Sequence, residues 1–229
     1  MIDSLACFQG EAEGIATINM CGGGGGSGCL PPPRLVLASA SPRRSALLRQ
    51  VGAAFDVFYV EVDETEGPML PPAQFAIRAA LKKARAAAAA FPQHASEPRV
   101  FVGADTIVVP PNGQILGKPS GRDDACRMLG LLAGRWHEVV TGVAAVCWPE
   151  GAEAVEYETT RVRMCAMDGD AIRRYVGTGD ADGKAGAYAI QGMGALLVES
   201  VDGCYNNVVG LPLRRLAIML EAFGLNLLV

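Results

Sequence analysis

Apolar and polar positions change rhythm several times along this chain, and each change predicts an element. Residues 34–38, "RLVLA", read as a short apolar strand. Ser41 can then cap a helix that carries Pro42 at its first position and ends at Gly52. The run 55–62, "FDVFYVEV", reads as a second strand. A helix is predicted over 73–91, with Phe75, Ile77, Leu81, Ala84 and Ala88 near helical spacing. Then "RVFVGADTIVVPPNGQILGKP" predicts a strand, a tight turn at Asn112-Gly113 and a returning strand. Asp123 and Asp124 suit the start of a helix that closes before Gly134. Two long strands follow at 138–148 and 154–165, a helix at 170–176, a strand in "GALLVESV", and a last helix over 212–223 that Gly224 ends. Strands alternate with helices early and pair as hairpins later. That order predicts an α/β fold built on a mixed sheet.

The first 33 residues follow neither rhythm. "CGGGGGSGC" and then "LPPP" read as a flexible tract and a stiff spacer, so the domain boundaries are 1–33 for an extension and 34–229 for the compact unit. Gly23, Gly25 and Gly28 satisfy the dinucleotide pattern GxGxxG. A glycine run satisfies any glycine pattern, however, and the prolines at 31–33 prevent the helix that the motif must open.

Composition narrows the function classes. The chain has 229 residues, half of them hydrophobic and 19% charged, as expected of a globular protein with a substantial core. A net charge of −4 predicts no grip on nucleic acid polymers or on an anionic membrane. Seven cysteines without a CxxC pair, and only two histidines, His94 and His137, predict neither a disulfide framework nor a zinc site. The start of the chain carries Asp3 and no basic segment, so it does not read as a secretory signal, and the cytoplasm is the expected location.

Candidate chemistry begins at "SASPRR". A helix N-terminus presents unsatisfied N–H groups and the positive end of the helix dipole to an anion. Ser39 and Ser41 add hydroxyls, and Arg43 and Arg44 can grip phosphate oxygens in pairs. A capped helix with two solvated arginines explains the segment equally well. Asp105 ends the apolar run 100–104, where an unpaired carboxylate would cost several kcal/mol, so it is a candidate metal ligand or general base; a turn residue is the plainer reading. Thr106 beside it suits a strand in any case. Lys118 in "ILGKP", and Lys184 and Gln191 in "DGKAGAYAIQG", lie where a glycine-rich backbone permits close approach to a ligand. Gln191 can both donate to and accept from a nucleobase edge. Asp63 and Glu64 in "VDE" are loop charges or hard-metal ligands. Both histidines and Cys204 read as structural.

Taken together, "LASASPRR", "VDE", "KKARA", "VGADTIV", "LGKP", "TGVA", "KAGAYAIQG" and "NVVGLPL" resemble, in order and approximate spacing, the Maf family of nucleotide pyrophosphatases over residues 34–224. The resemblance implies an enzyme that hydrolyses a nucleoside triphosphate to its monophosphate and pyrophosphate with a divalent cation, Mg²⁺ or Mn²⁺. It also implies a two-lobed fold like that of inosine triphosphate pyrophosphatases, with a central cleft along a strongly twisted sheet. By that resemblance Asp105 is the catalytic base, and Arg43, Thr106 and Gln191 set substrate choice. Ser39, Arg44, Glu64, Lys83, Lys118 and Lys184 match cleft positions around phosphates and metal, with Glu64 and Asp105 as the metal ligands. "SPRR", "GADT" and "KAGAYAIQG" resemble the branch acting on dTTP and UTP, rather than the branch acting on 7-methyl-GTP. The family's usual "EKA" is "KKA" here, which adds Lys82. A homodimer is compatible with the family. The competing expectations are a nucleotide-binding regulator of cell division and a pyrophosphatase for 7-methyl-GTP or non-standard purine nucleotides.

Overall fold

The computed structural model describes residues 32–63, 70–92 and 97–228. Glu64, His94 and the glycine tract of the N-terminal extension lie outside the described residues. Among the described residues six strands form one sheet: β1 (Arg34–Leu37), β2 (Phe55–Val57), β3 (Arg99–Val109), β4 (Trp136–Trp148), β5 (Glu153–Met164) and β6 (Val198–Asp202). Their order is β2-β1-β3-β4-β5-β6; β1 runs parallel to β2 and β3, and every other pair is antiparallel. The mixed α/β sheet is therefore as the alternation of elements predicts.

Among the described residues six α-helices flank it: α1 (Pro42–Gln50), α2 (Pro72–Ala90), α3 (Arg122–Leu132), α4 (Gly169–Gly177), α5 (Tyr205–Val209) and α6 (Leu213–Glu221). One face of the sheet is covered by α2. Ala76, Ala80, Ala84, Ala87 and Ala88 bury against Val36, Phe101, Ile107, Val140 and Ala144. The other face carries two separate apolar clusters. Leu47 and Leu48 of α1 join Leu216 and Leu220 of α6 over Leu35, Leu37, Val102 and Val143, while α3 and α4 pack over Val108, Val139 and Val162. These clusters are the cores of two lobes.

The buried stripe of α2 differs from the expected one. Ala84 and Ala88 of that stripe are buried as expected, but Phe75, Ile77 and Leu81 are only partly buried, and Ala76, Ala79, Ala80 and Ala87 make the contact in their place. The reason is proximity. A Cβ on Gly103 of β3 would lie 2.1 Å from the Ala80 carbonyl oxygen, and one on Gly142 of β4 would lie 2.3 Å from Ala76 backbone. Only small residues on both sides let the helix lie so near the sheet.

Three strand predictions are corrected. The run 55–62 is strand only to Val57, because its partner β1 ends there; Leu37 pairs with Val57, and the Phe58 N–H makes the last bond, 3.2 Å to the Leu37 carbonyl. The return after the Asn112-Gly113 turn shrinks to one bridge, Val108 with Leu116. Beyond it the Gly117 carbonyl accepts from Gly186 N–H at 3.1 Å, and Pro119 has no N–H to offer. In "GALLVESV", residues up to Leu197 coil as 3₁₀ turns before β6 starts. The short helix α5 has no counterpart among the predicted elements.

Candidate active site

The parallel strand β1 stops at Leu37 while its neighbour β3 runs on to Val109. From β1 the chain crosses to β2 through α1 on one face, and from β2 to β3 through α2 on the other. A crevice opens beyond the carboxyl end of β1 at such a reversal, where ligands bind in α/β sheets. Asp105 was expected at a strand end. It lies mid-strand, opposite Gly142, but beyond the last residue of β3 that pairs with β1. Its neighbour β1 ends; β3 does not.

Successive residues of β3 face opposite sides of the sheet. Asp105 shares its side with Phe101 and Ile107, toward α2, and there Lys83 Nζ donates to Asp105 Oδ1 at 2.6 Å. Both side chains are mostly buried, at 14% and 10% exposure, so the pair is shielded from solvent screening. Asp105 Oδ2 has no hydrogen-bonding partner among the described residues, and its lone pairs remain for a water or a cation. The adjacent Lys82 turns elsewhere: its Nζ donates to the Asp63 carbonyl at 2.6 Å. Of the two lysines, Lys83 serves the carboxylate.

Thr106 faces the opposite side, between Ala104 of one lobe's cluster and Val108 of the other's. A polar seam fills this gap. Arg44 reaches from α1 and donates through Nε to the Gly210 carbonyl at 2.7 Å, through Nη1 to Ser39 Oγ at 3.1 Å, and through Nη2 to Thr106 Oγ1 at 3.1 Å. Thr141 Oγ1 donates its only proton to the Asn207 carbonyl at 3.1 Å. In its 2.9 Å contact with Thr106 it must therefore accept, so the Thr106 hydroxyl donates. Asn207, fully buried at 0% exposure, donates through Nδ2 to the Val139 carbonyl and to Thr160 Oγ1, each at 2.9 Å.

Ser39 accepts from both Arg44 and the Ser41 N–H, the latter at 3.2 Å, so its own proton is left to donate outside the network. Ser41 occupies the N-cap of α1 as expected, but its side chain makes no cap bond. Ser39 serves that end of the chain instead. Arg43, the first of the pair, is half-buried; burial holds its guanidinium below its ordinary pKa, and the negative charge of Asp180 opposes that shift.

Lys184 Nζ donates to the Asp180 carbonyl at 2.5 Å and to Asp180 Oδ1 at 3.3 Å. The loop then crosses the seam: Ala187 and Tyr188 pack in the α3–α4 cluster, whereas Ile190 packs in the α1–α6 cluster. Gln191 follows, exposed, its amide without a hydrogen-bonding partner among the described residues. Lys118 is exposed next to Gly117, whose carbonyl ties it to the same loop. His137 is structural as predicted, its Nε2 lying 2.7 Å from the Tyr188 hydroxyl in the core.

The structure thus brings Ser39, Arg44 and Thr106 into one network, joins Lys83 to Asp105, and sets Lys184 beside the carboxylate whose charge reaches Arg43. Glu64 lies outside the described residues, so its part in the site rests on the resemblance. Thr141, Asn207, Gly210 and Asp180 complete the geometry and were not singled out from sequence. "TGVA" and "NVVGLPL" contained the first three, but nothing local says that their polar atoms meet Thr106 and Arg44.

The Maf family model, described as Maf-like protein, matches residues 34–223. The chain belongs to this family. A dTTP/UTP pyrophosphatase of Pelotomaculum thermopropionicum is 47% identical over 194 residues, covering 85% of this chain and 98% of that one. Another, of Symbiobacterium thermophilum, is 49% identical over 191 residues, covering 83% and 94% of the two chains. The protein of that name from Gloeobacter violaceus is 48% identical over 190 residues, covering 83% and 96%. In the Maf-like chain the match begins where β1 begins, at Arg34.

Proposed function

We propose that this Maf-like protein is a dTTP/UTP pyrophosphatase, hydrolysing the α–β phosphoanhydride to nucleoside monophosphate and pyrophosphate. One observation carries the reading: past the end of β1 a buried carboxylate, Asp105, is held by Lys83 through one oxygen, the other having no partner among the described residues, while the neighbouring Thr106 turns to the opposite side of β3 and meets Arg44 and Ser39. Asp105 Oδ2 takes the proton of a water that attacks the α-phosphorus. The bond from that phosphorus to the bridging oxygen breaks, and its electron pair leaves with pyrophosphate. Arg44, Lys118 and Lys184 neutralise the phosphates and Ser39 donates to them, while Arg43, Thr106 and Gln191 set the choice of nucleoside. The names of the relatives support the choice of dTTP and UTP.

A divalent cation fits the residues present. Asp105 Oδ2 is an unengaged hard oxygen donor, suited to Mg²⁺ or Mn²⁺, and Glu64 and the substrate phosphates would supply further oxygens. When bound, the cation would withdraw charge from the phosphates. No helix among the described residues is long and apolar enough to cross a membrane. The cytoplasm, where nucleoside triphosphates are abundant, is the proposed location.

The test is hydrolysis of dTTP and UTP by the purified protein in H₂¹⁸O with Mg²⁺ or Mn²⁺. Monophosphate and pyrophosphate should form one to one, with label only in the monophosphate. Label in the pyrophosphate would place the attack at the β-phosphorus and overturn the mechanism. Asp105→Asn should lower kcat about 10³-fold, with dTTP binding, followed by calorimetry, largely kept.

A further inference from the structure

The mechanism above leaves the carboxylate of Asp180 unused. Asp180 sits in the turn after α4 and bonds to three separate parts of the chain. Its Oδ2 accepts from the Tyr175 hydroxyl of α4 and from the Gly194 N–H, both at 3.2 Å. Its carbonyl and Oδ1 accept from Lys184 at 2.5 and 3.3 Å. Its own N–H donates to Thr178 Oγ1 at 3.2 Å, which orients the turn. The stretch from Lys184 to Gly194 is thereby closed at both ends on a single side chain. Inside it the backbone has little freedom: a Cβ on Gly186 would stand 2.9 Å from Val108, and one on Gly194 would stand 2.0 Å from the Ala189 carbonyl oxygen.

Gln191 lies in this closed stretch, and its amide is anchored by no other residue among those described. Only the backbone fixes where it points. The same carboxylate holds Lys184 from one lobe and exerts its field on Arg43 at the start of α1 in the other. We propose that Asp180 is a positioning residue that presets the loop bearing Lys184 and Gln191, and so tunes the binding and choice of the nucleoside triphosphate. It acts through its neighbours and touches no reacting atom. The inference rests on the pyrophosphatase reading.

The test compares wild type, Asp180→Asn, Asp180→Glu, Gln191→Ala and the double variant, with pyrophosphate release measured on dTTP, UTP, dATP and GTP. An asparagine has one acceptor oxygen, so it cannot serve both Lys184 and the Tyr175–Gly194 pair. Asp180→Asn should raise KM for dTTP about tenfold while kcat stays within about threefold, the loss of one charge-assisted hydrogen bond in substrate binding. Its preference for dTTP over dATP should narrow. Asp180→Glu, which keeps the charge, should recover part of both. Gln191→Ala should matter less in the Asp180→Asn background than in wild type, because the two act on one contact.

Additive effects, or unchanged KM and unchanged preference in a folded Asp180→Asn protein, would overturn the proposal. Should Asp180→Asn not fold, Tyr175→Phe removes one of its tethers and should shift KM in the same direction; an unshifted KM there overturns it too. Wild type that releases no pyrophosphate from any triphosphate refutes the underlying reading instead, so the two failures are told apart.

Discussion

Lys83 and Asp105 show how a side chain's role depends on what stands behind it. A buried carboxylate with a single partner among the described residues loses its compensation when that partner is removed. Lys83→Met should therefore lower stability by about 3 kcal/mol and reduce turnover of dTTP as well. Asp105→Asn keeps an amide oxygen opposite the mostly buried Lys83 ammonium, and should cost activity with less stability than Lys83→Met does. Urea unfolding beside the pyrophosphate assay separates the two; equal stabilities would mean that solvent reaches the pair. Both residues were legible from sequence as chemical candidates. What sequence could not supply was the partner, because "KKARA" offers two adjacent lysines and helix phase alone sends Lys83, not Lys82, to the carboxylate.

At the scale of elements, the decisive contact is α2 against β3 and β4. Its alanines and the facing Gly103 and Gly142 bring the helix within backbone contact of the sheet, and that closeness is what lets Lys83 reach Asp105. Gly103→Ala puts a methyl group into the Ala80 carbonyl, so the helix must move outward. The expected outcome is a loss of about 3 kcal/mol and a fall in kcat, since the lysine moves with the helix. Thermal unfolding and steady-state kinetics check this, and a variant with unchanged kcat would show that the carboxylate does not depend on the helix position. The helix itself was predictable to within a residue or so at each end. Its buried stripe was legible only in part: Ala84 and Ala88 are buried as the spacing predicts, whereas in place of Phe75, Ile77 and Leu81 the distance to the sheet selected further alanines.

For the whole molecule, the two lobes meet along a seam of polar groups, and the loop 184–194 spans it. His137 on β4 ties the loop to the sheet through Tyr188. Burial pushes the His137 pKa down to about 4 from an ordinary 6.5, so the folded protein resists a proton that the unfolded chain accepts. Between those values the unfolded state binds more protons, and stability falls as pH falls. The stability present above about pH 6.5 should thus diminish toward pH 4, by on the order of 3 kcal/mol for a shift of this size. His137→Phe should flatten that stretch of the stability–pH curve. A variant whose curve parallels wild type would assign the acid sensitivity to other groups.

Sequence by itself determined the α/β class, the turns at Gly52 and Gly113, most helix bounds and the residue types offered to a triphosphate, because these depend on periodicity, backbone preference and charge. Tertiary structure alone decided where β2 stops, which lysine meets Asp105, and which way the Thr106 hydroxyl points. Each of those depends on an atom brought from far along the chain: Leu37 for Val57, Asp105 for Lys83, Asn207 for Thr141. Local pattern holds no information about such partners, since their positions follow from how the sheet is ordered and how near the helices lie.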